Sequence, residues 1–455
     1  MTTVKARQLK LLLGDIVVMY FSLAGMLLIR YGFENFITQY LLHLPTMSLV
    51  FVVWGAILYV NGLYDLYFAK PSIALFRRFY ESLFIGLGIA VGMFYLLPIF
   101  AVTPKTNLFI LTGFFAIFFL AWRASMGVSK KNAIRLLAVS PSADTLELLV
   151  TLRKNQQLGF EVVGYVGEFS ETKDGITCFS PHDPLRALIS EHRVNFVIVN
   201  NDHRKFSHIY QELYELLFWN VHVMPADHFF EELTSRIPLG ALNEAWFFEN
   251  LKMGRVVLYD IMRRCVDYII ASIGLIILMT LTPLVAILTK WGSPGPLFYR
   301  QERVGKNGKR FSVLKFRTMH ALGHDGGAEI GGAQITTIND PRVTKFGALI
   351  RRLRIDELPQ MINVLRGEMS IIGPRPERAE FVYQFEKYMP YYSIRNLVKP
   401  GLTGWAQINY PYAETVEQQL TKFQYDLYYI KNRSVFLDFA IIMKTFHVLF
   451  YGKGR

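Results

Sequence analysis

Four long apolar runs crowd the first 125 residues, at 11–29, 47–63, 83–100 and 108–122. Each approaches the roughly 20 residues that a helix needs to cross a bilayer. One such run could be a buried core helix; four in succession predict a membrane-embedded helical bundle. No small-residue cleavage site follows the first run, which argues against a removable signal peptide. Asp15 lies inside the first run, where facing lipid is costly, so it belongs near the interface, between helices or at a functional site.

Basic residues between the runs set an orientation. Lys5, Arg7 and Lys10 precede the first run, and 31–46 has no Lys or Arg. Lys70, Arg77 and Arg78 lie between the second and third runs, with only Lys105 before the fourth. Arg123, Lys130, Lys131 and Arg135 follow. The pattern reads in, out, in, out, in, and the rest of the chain is expected to start in the cytoplasm.

Composition agrees with a membrane protein. Hydrophobic residues make up 52% and charged residues 19%, below the roughly 25% usual for soluble domains. Cys178 and Cys265 are the two cysteines, too few for a disulfide framework. The net charge is +13, and residues 251–455 carry all of the excess, with 29 Lys+Arg against 16 Asp+Glu. That part is expected to handle anionic ligands or to lie on anionic lipid. Nucleic acid, the competing reading of a basic segment, loses ground beside four apolar runs.

Three segments follow: a four-helix transmembrane domain at 1–130, an α/β domain at 131–250 and an α+β domain at 251–455. In the middle segment, strand-like stretches at 135–140, 160–166, 195–199 and 221–224 alternate with helical ones at 144–156, 184–192 and 206–218. Such alternation predicts a parallel sheet of the Rossmann kind. Dinucleotide binding needs glycines at the first strand-to-helix turn. Here that turn reads Val139-Ser140-Pro141-Ser142-Ala143, which favours a scaffold, regulatory or dimerisation role.

A fifth apolar run at 268–288 is long enough to span, yet its flanks conflict. Arg255, Arg263 and Arg264 precede it; Lys290, Arg300, Arg303, Lys306, Lys309 and Arg310 follow. Both flanks favour the cytoplasmic side. Pro283 interrupts helix hydrogen bonding, and Thr282 can bond the freed backbone. The expectation is a re-entrant helix-break-helix over about 263–290, against the alternative of a kinked fifth span.

Beyond it lie the residues that carry chemistry. A turn cluster, Ser293-Pro294-Gly295-Pro296, leads into strand-like stretches that end in Lys315-Phe316-Arg317-Thr318-Met319. Asp340-Pro341-Arg342 marks a turn before a helical stretch. Then Arg351, Arg352 and Arg354 stand within six residues of Asp356-Glu357, with Pro359 just after. Adjacent helical residues point about 100° apart, so one ligand meets both carboxylates only at a helix end or an irregular turn. The arginines can hold a carboxylate ionised, as a nucleophile requires, and can grip phosphate oxygens. Gly373-Pro374-Arg375-Pro376 reads as a rigid anion-contacting corner or a loop exit. Pro400-Gly401-Leu402-Thr403-Gly404-Trp405 is a second rigid turn, whose Trp405 belongs in the core or at a membrane interface. Residues 436–450, with Lys444 and His447, suit an amphipathic interfacial helix.

From about Arg263 onward these blocks resemble the bacterial sugar transferase family, the polyprenyl-phosphate hexose-1-phosphate transferases. Six blocks match in order over about 190 residues, and the four runs plus the Rossmann-like segment resemble the large members. The resemblance implies transfer of a sugar-1-phosphate from a UDP-sugar to undecaprenyl phosphate, with release of UMP. It implies Asp356 as the nucleophile that forms a covalent phosphosugar intermediate, and Glu357 as the Mg2+ partner. It further implies phosphate contact by Arg351, substrate contacts by Lys315 and Arg317, and a uridine and phosphate site at Pro374-Arg375-Pro376. Thr282-Pro283 matches the break of the re-entrant helix, where the family more often has Ser. A homodimer in the bacterial inner membrane is implied as well, with the catalytic domain on the cytoplasmic face, at the start of exopolysaccharide, capsule or O-antigen assembly. Asp-x-Asp and Walker A motifs are absent from the sequence, against two other classes of nucleotide-using enzyme. The non-enzyme alternative is a membrane scaffold or regulator of polysaccharide assembly.

Overall fold

The computed structural model describes residues 3–65, 72–96, 105–126, 133–167, 175–200, 207–216, 218–219, 221–251, 257–321, 340–410, 413 and 415–451. The chain forms two compact units, Met1–Thr234 and Ser235–Arg455.

The first unit opens with four apolar helices, α1 (Thr3–Tyr31), α2 (Phe36–Val60), α3 (Ile73–Leu96) and α4 (Lys105–Ser125). By length and composition α1, α2 and α4 can each cross a bilayer. Aromatic side chains fill the bundle, with Phe79 stacked on Phe119 at 4.2 Å between ring centroids. Of the placements open to Asp15, the structure has the interhelical one. Its Oδ2 lies 2.6 Å from Nη2 of Arg123, and both side chains are fully buried. Arg123 also donates to the Leu63 carbonyl at 3.1 Å, so one buried ion pair ties α1, α4 and the turn after α2 together.

The same unit continues as β1 (Ile134–Val139), α5 (Ala143–Lys154), β2 (Phe160–Val166), β3 (Cys178–Phe179), α6 (Leu185–Glu191), β4 (Phe196–Val199), α7 (Ser207–Leu216), β5 (His222–Pro225) and α8 (Ala226–Thr234). The strand order is β3-β2-β1-β4-β5, parallel at every pairing. Val197 and Ile198 on β4 and Leu136 to Ala138 on β1 are almost wholly buried, as a parallel sheet covered on both faces requires. The turn after β1 carries Ser140 at φ 51 and Ser142 as the cap of α5.

The second unit begins with α9 (Glu244–Asn250). Its Trp246 and Phe247 pack on this unit's cores, so the division falls before residue 250. Then comes α10 (Val257–Gly292), one helix of 36 residues with Pro283 inside it. The break expected at Thr282-Pro283 does not interrupt the helix. The Thr282 hydroxyl donates to the Leu278 carbonyl at 2.6 Å, one residue before the carbonyl that Pro283 leaves without its usual donor. Both ends of α10 engage this same unit. Near its start Arg263 donates to the Ser370 hydroxyl and the Ile372 carbonyl. Just past its end Ser293 accepts from Arg317. In between, Ile269, Ile273, Ile276, Met279, Leu284 and Ile287 form an exposed apolar stripe.

An antiparallel hairpin of β6 (Phe298–Val304) and β7 (Arg310–Phe316) follows. After it come α11 (Lys345–Arg352), α12 (Gln360–Leu365), β8 (Ser370–Ile372), α13 (Ala379–Glu386), β9 (Gly401–Thr403), α14 (Trp405–Asn409), α15 (Val416–Asn432) and α16 (Val435–Tyr451). β8 and β9 pair in parallel, which joins the two proline-glycine blocks. A Cβ at Gly401 would lie 2.1 Å from the Gly373 nitrogen, so the backbones meet only because side chains are absent there. Trp405 is in the core; its Nε1 donates to the Ser235 carbonyl at 3.1 Å. α16 buries Ile441 and exposes Phe436, Phe439 and Phe446, the two-faced pattern expected of an interfacial helix.

Candidate active site

The acidic pair sits on a single 3-10 turn, Ile355–Glu357, between α11 and α12. Thr344 caps the start of α11 by accepting from the Gly347 amide. The helix stops because Arg354 takes a left-handed conformation, φ 56. That reversal swings the chain inward, and Pro359 starts α12 immediately afterwards. Asp356 and Glu357 are each 8% exposed. The reversal at Arg354 and the short 3-10 turn carry both carboxyls into the interior of the unit.

Three cations meet Oε1 of Glu357. Arg375 Nη2 lies at 2.7 Å, Lys315 Nζ at 3.6 Å and Arg354 Nη1 at 3.9 Å. Burial opposes ionisation of Glu357, but Arg375, Lys315 and Arg354 outweigh it and hold the carboxyl well below the usual carboxylate range. Asp356 moves the other way: burial first, then the charge of Glu357, pushes it up. Its Oδ1 is buried without a hydrogen-bond partner among the described residues. Burial also brings Lys315 down to about 8, against the pull of Glu357. Two adjacent carboxyls driven apart in acidity are a pattern of paired catalytic groups.

The other expected residues divide. The side chain of Arg375 reaches the dyad, and its flanking prolines fix its backbone; the Pro374 carbonyl accepts from the Gly401 amide at 2.8 Å and the Pro376 carbonyl from Arg303 at 3.3 Å. Arg351 donates through Nε to the Thr318 hydroxyl at 2.7 Å, and its charge also acts on Asp356. Arg317 turns elsewhere: it is 2% exposed and bonds the Ser293 hydroxyl, the Ser293 carbonyl and the Pro294 carbonyl. It holds the turn after α10. Thr282-Pro283 belongs to α10, whose Leu278 and Val285 pack with Phe316 and Ile350 beneath the dyad's turn. Arg354 is one of the three arginines beside the pair in the sequence, but nothing there singles it out from Arg351 and Arg352.

A divalent cation is compatible with this donor set. No group of three or more His, Cys, Asp or Glu side chains suited to a metal occurs among the described residues. Mg2+ takes oxygen ligands and commonly uses one or two carboxylates, with phosphates and water completing the shell. The buried carboxylate of Glu357 can supply such a ligand, which leaves Oδ1 of Asp356 unpartnered among the described residues.

Comparison with known proteins agrees with the geometry. The sequence pattern described as bacterial sugar transferase matches residues 258–452. A UDP-glucose:undecaprenyl-phosphate glucose-1-phosphate transferase of Klebsiella pneumoniae is 30% identical over 446 residues, 93% of this chain and 92% of that protein. Another so named, from Xanthomonas campestris pv. campestris, is 35% identical over 68% of this chain and 65% of its own length. A UDP-N-acetylgalactosamine-undecaprenyl-phosphate N-acetylgalactosaminephosphotransferase of Aeromonas hydrophila is 41% identical over 49% of this chain and 51% of its own. The chain therefore spans about half the length of the Aeromonas relative and just under two thirds of the Xanthomonas one. With its matched C-terminal unit and its near full-length Klebsiella relative, this chain belongs to the bacterial sugar transferase family.

Proposed function

We propose that this protein transfers a sugar-1-phosphate from a UDP-sugar to undecaprenyl phosphate, releases UMP, and so initiates a cell-surface glycan such as exopolysaccharide, capsule or O-antigen. The observation that carries the reading is the split dyad. Glu357 absorbs the local cations, while Asp356 keeps a buried oxygen free of hydrogen bonds. A carboxylate without such bonds is the better nucleophile.

Asp356 Oδ1 attacks the sugar-bearing β-phosphorus. A new P–O bond forms and the bond to the bridging oxygen of UMP breaks, so UMP departs as the anion. The phosphate of undecaprenyl phosphate then attacks the same phosphorus, forms the pyrophosphate link and frees Asp356. Lys315, Arg354 and Arg375 offset the charge that gathers as anions meet. Arg351 supplies a further cation nearby. Glu357 would hold Mg2+, which supplies charge neutralisation and alignment of the phosphates.

Location supports the same reading. The exposed apolar stripe of α10, together with the attachment of both helix ends to one unit, favours re-entry over a span. That topology brings a water-soluble donor and a lipid acceptor to one interface. The basic loops of the N-terminal bundle support a cytoplasmic catalytic unit in a bacterial inner membrane, and a homodimer completes the proposal. The test is UMP release from a panel of UDP-sugars with Mg2+ and undecaprenyl phosphate. UMP with at least one donor supports the enzyme; none with any donor favours the scaffold alternative.

A further inference from the structure

Behind the acidic pair lies a second charged cluster that the reaction does not touch. Arg395 is 5% exposed, in the turn Tyr392–Leu397. Its guanidinium donates to the Tyr392 hydroxyl at 2.7 Å and to the backbone carbonyl of Arg375 at 3.0 Å. Asp426 on α15 faces it at 2.7 Å, with both side chains nearly sealed from solvent. Glu377 stands 3.7 Å away, and the same carboxylate takes Arg303 from the other side at 3.7 Å.

Burying an ion pair costs desolvation that mutual attraction repays only when the geometry is good. Leucine or phenylalanine could fill the same space without that cost. Only a planar guanidinium reaches a carboxylate, a hydroxyl and a carbonyl in three directions at once. The carbonyl it reaches belongs to the residue whose side chain meets Glu357.

We infer that Arg395 is a positioning residue: its guanidinium, held by Asp426 and Tyr392, fixes the peptide of Arg375 so that the Arg375 side chain lies against Glu357. Arg303, on the carbonyl of Pro376, clamps the next peptide. Pro374 and Pro376 stiffen the corner but donate no amide hydrogen bond, so the carbonyls of Arg375 and Pro376 hold it together with the Gly373 amide on the Thr403 carbonyl. Burial pushes the carboxyl of Asp426 up to about 6, against the pull of Arg395.

Arg395→Lys keeps the charge but cannot span all three partners. Hydrogen exchange on the full-length protein reads the corner directly, independent of turnover. Arg395→Lys is expected to speed exchange of the peptide spanning 373–378 about tenfold or more, whereas Arg375→Lys leaves it near wild type. The kinetic arm, which rests on the proposed phosphotransfer, is a double-mutant cycle on UMP release. Each single variant should lose about tenfold or more in kcat/KM, and the double should fall no more than about threefold below the weaker single. Exchange within about twofold of wild type, or losses that multiply, would overturn the inference. If wild type releases no UMP while exchange responds as expected, the reaction is misread and the positioning role stands. Should Arg395→Lys lose its cooperative melt, Tyr392→Phe replaces it in both arms, since it removes one partner and leaves both charges.

Discussion

Arg375→Met tests how charge is shared at the acidic pair. The variant keeps most of the side-chain volume and deletes the closest cation on Glu357. At an effective dielectric of about 20, unit charges at 2.7, 3.6 and 3.9 Å attract by about 6, 5 and 4 kcal/mol. Arg375 thus supplies about two fifths of the field on that oxygen. Its side chain is 38% exposed, so solvent screens part of this, and about 2–3 kcal/mol is a fair net figure. If that loss falls on the transition state, kcat/KM drops about 30- to 200-fold. The assay is continuous UMP release from detergent- or nanodisc-embedded protein, with melting followed in parallel. Lys315→Met and Arg354→Met, at longer range, should lose less, in that order. An Arg375→Met enzyme within about threefold of wild type, or one weaker than Arg354→Met only in its melt, would refute the reasoning.

Other consequences concern stability and pH. Gly401→Ala drives a Cβ into the Gly373 backbone and should cost about 2–4 kcal/mol with loss of activity; an unchanged melt would show that β8 and β9 can separate freely. Arg123→Leu strands the buried Asp15 and should cost about 3–5 kcal/mol, which Asp15→Leu in the same chain restores in good part; additive losses would deny the pairing. As the proposed nucleophile Asp356 must be ionised to attack, and its carboxyl is pushed up, so kcat/KM should fall with decreasing pH through a midpoint above the ordinary aspartate value of about 3.9. A profile flat down to that value would place the nucleophile elsewhere.

Much of this was legible in the chain itself. Apolar runs have a length scale set by the bilayer, so the four helices of the bundle could be read, and alternating strands and helices foretold the parallel sheet. The two-residue strand Cys178–Phe179 and the helix Ala226–Thr234 left no comparable trace, because their signals are shorter than a period count can resolve. The adjacency of Asp356 and Glu357 pointed to an irregular turn, and the 3-10 turn is there. Arg317 carries a substrate contact only by resemblance, and in the structure its guanidinium bonds the carbonyls after α10. Whether a guanidinium faces ligand or backbone depends on chain brought near from elsewhere in the fold. Arg395 and Asp426 stayed silent for the same reason. They lie 31 residues apart in the chain and meet only once α15 packs on the turn at Tyr392–Leu397.

The central claim is that Asp356 itself carries the phosphosugar. Mix the purified protein with Mg2+ and a competent UDP-sugar but no lipid acceptor, quench, digest and locate the added mass by tandem mass spectrometry. The account predicts a sugar-phosphate on the peptide that holds Asp356, lost on adding undecaprenyl phosphate and missing from Asp356→Asn. A productive enzyme whose modification sits on another side chain, or whose Asp356→Asn form still turns over at the wild-type rate, would contradict it.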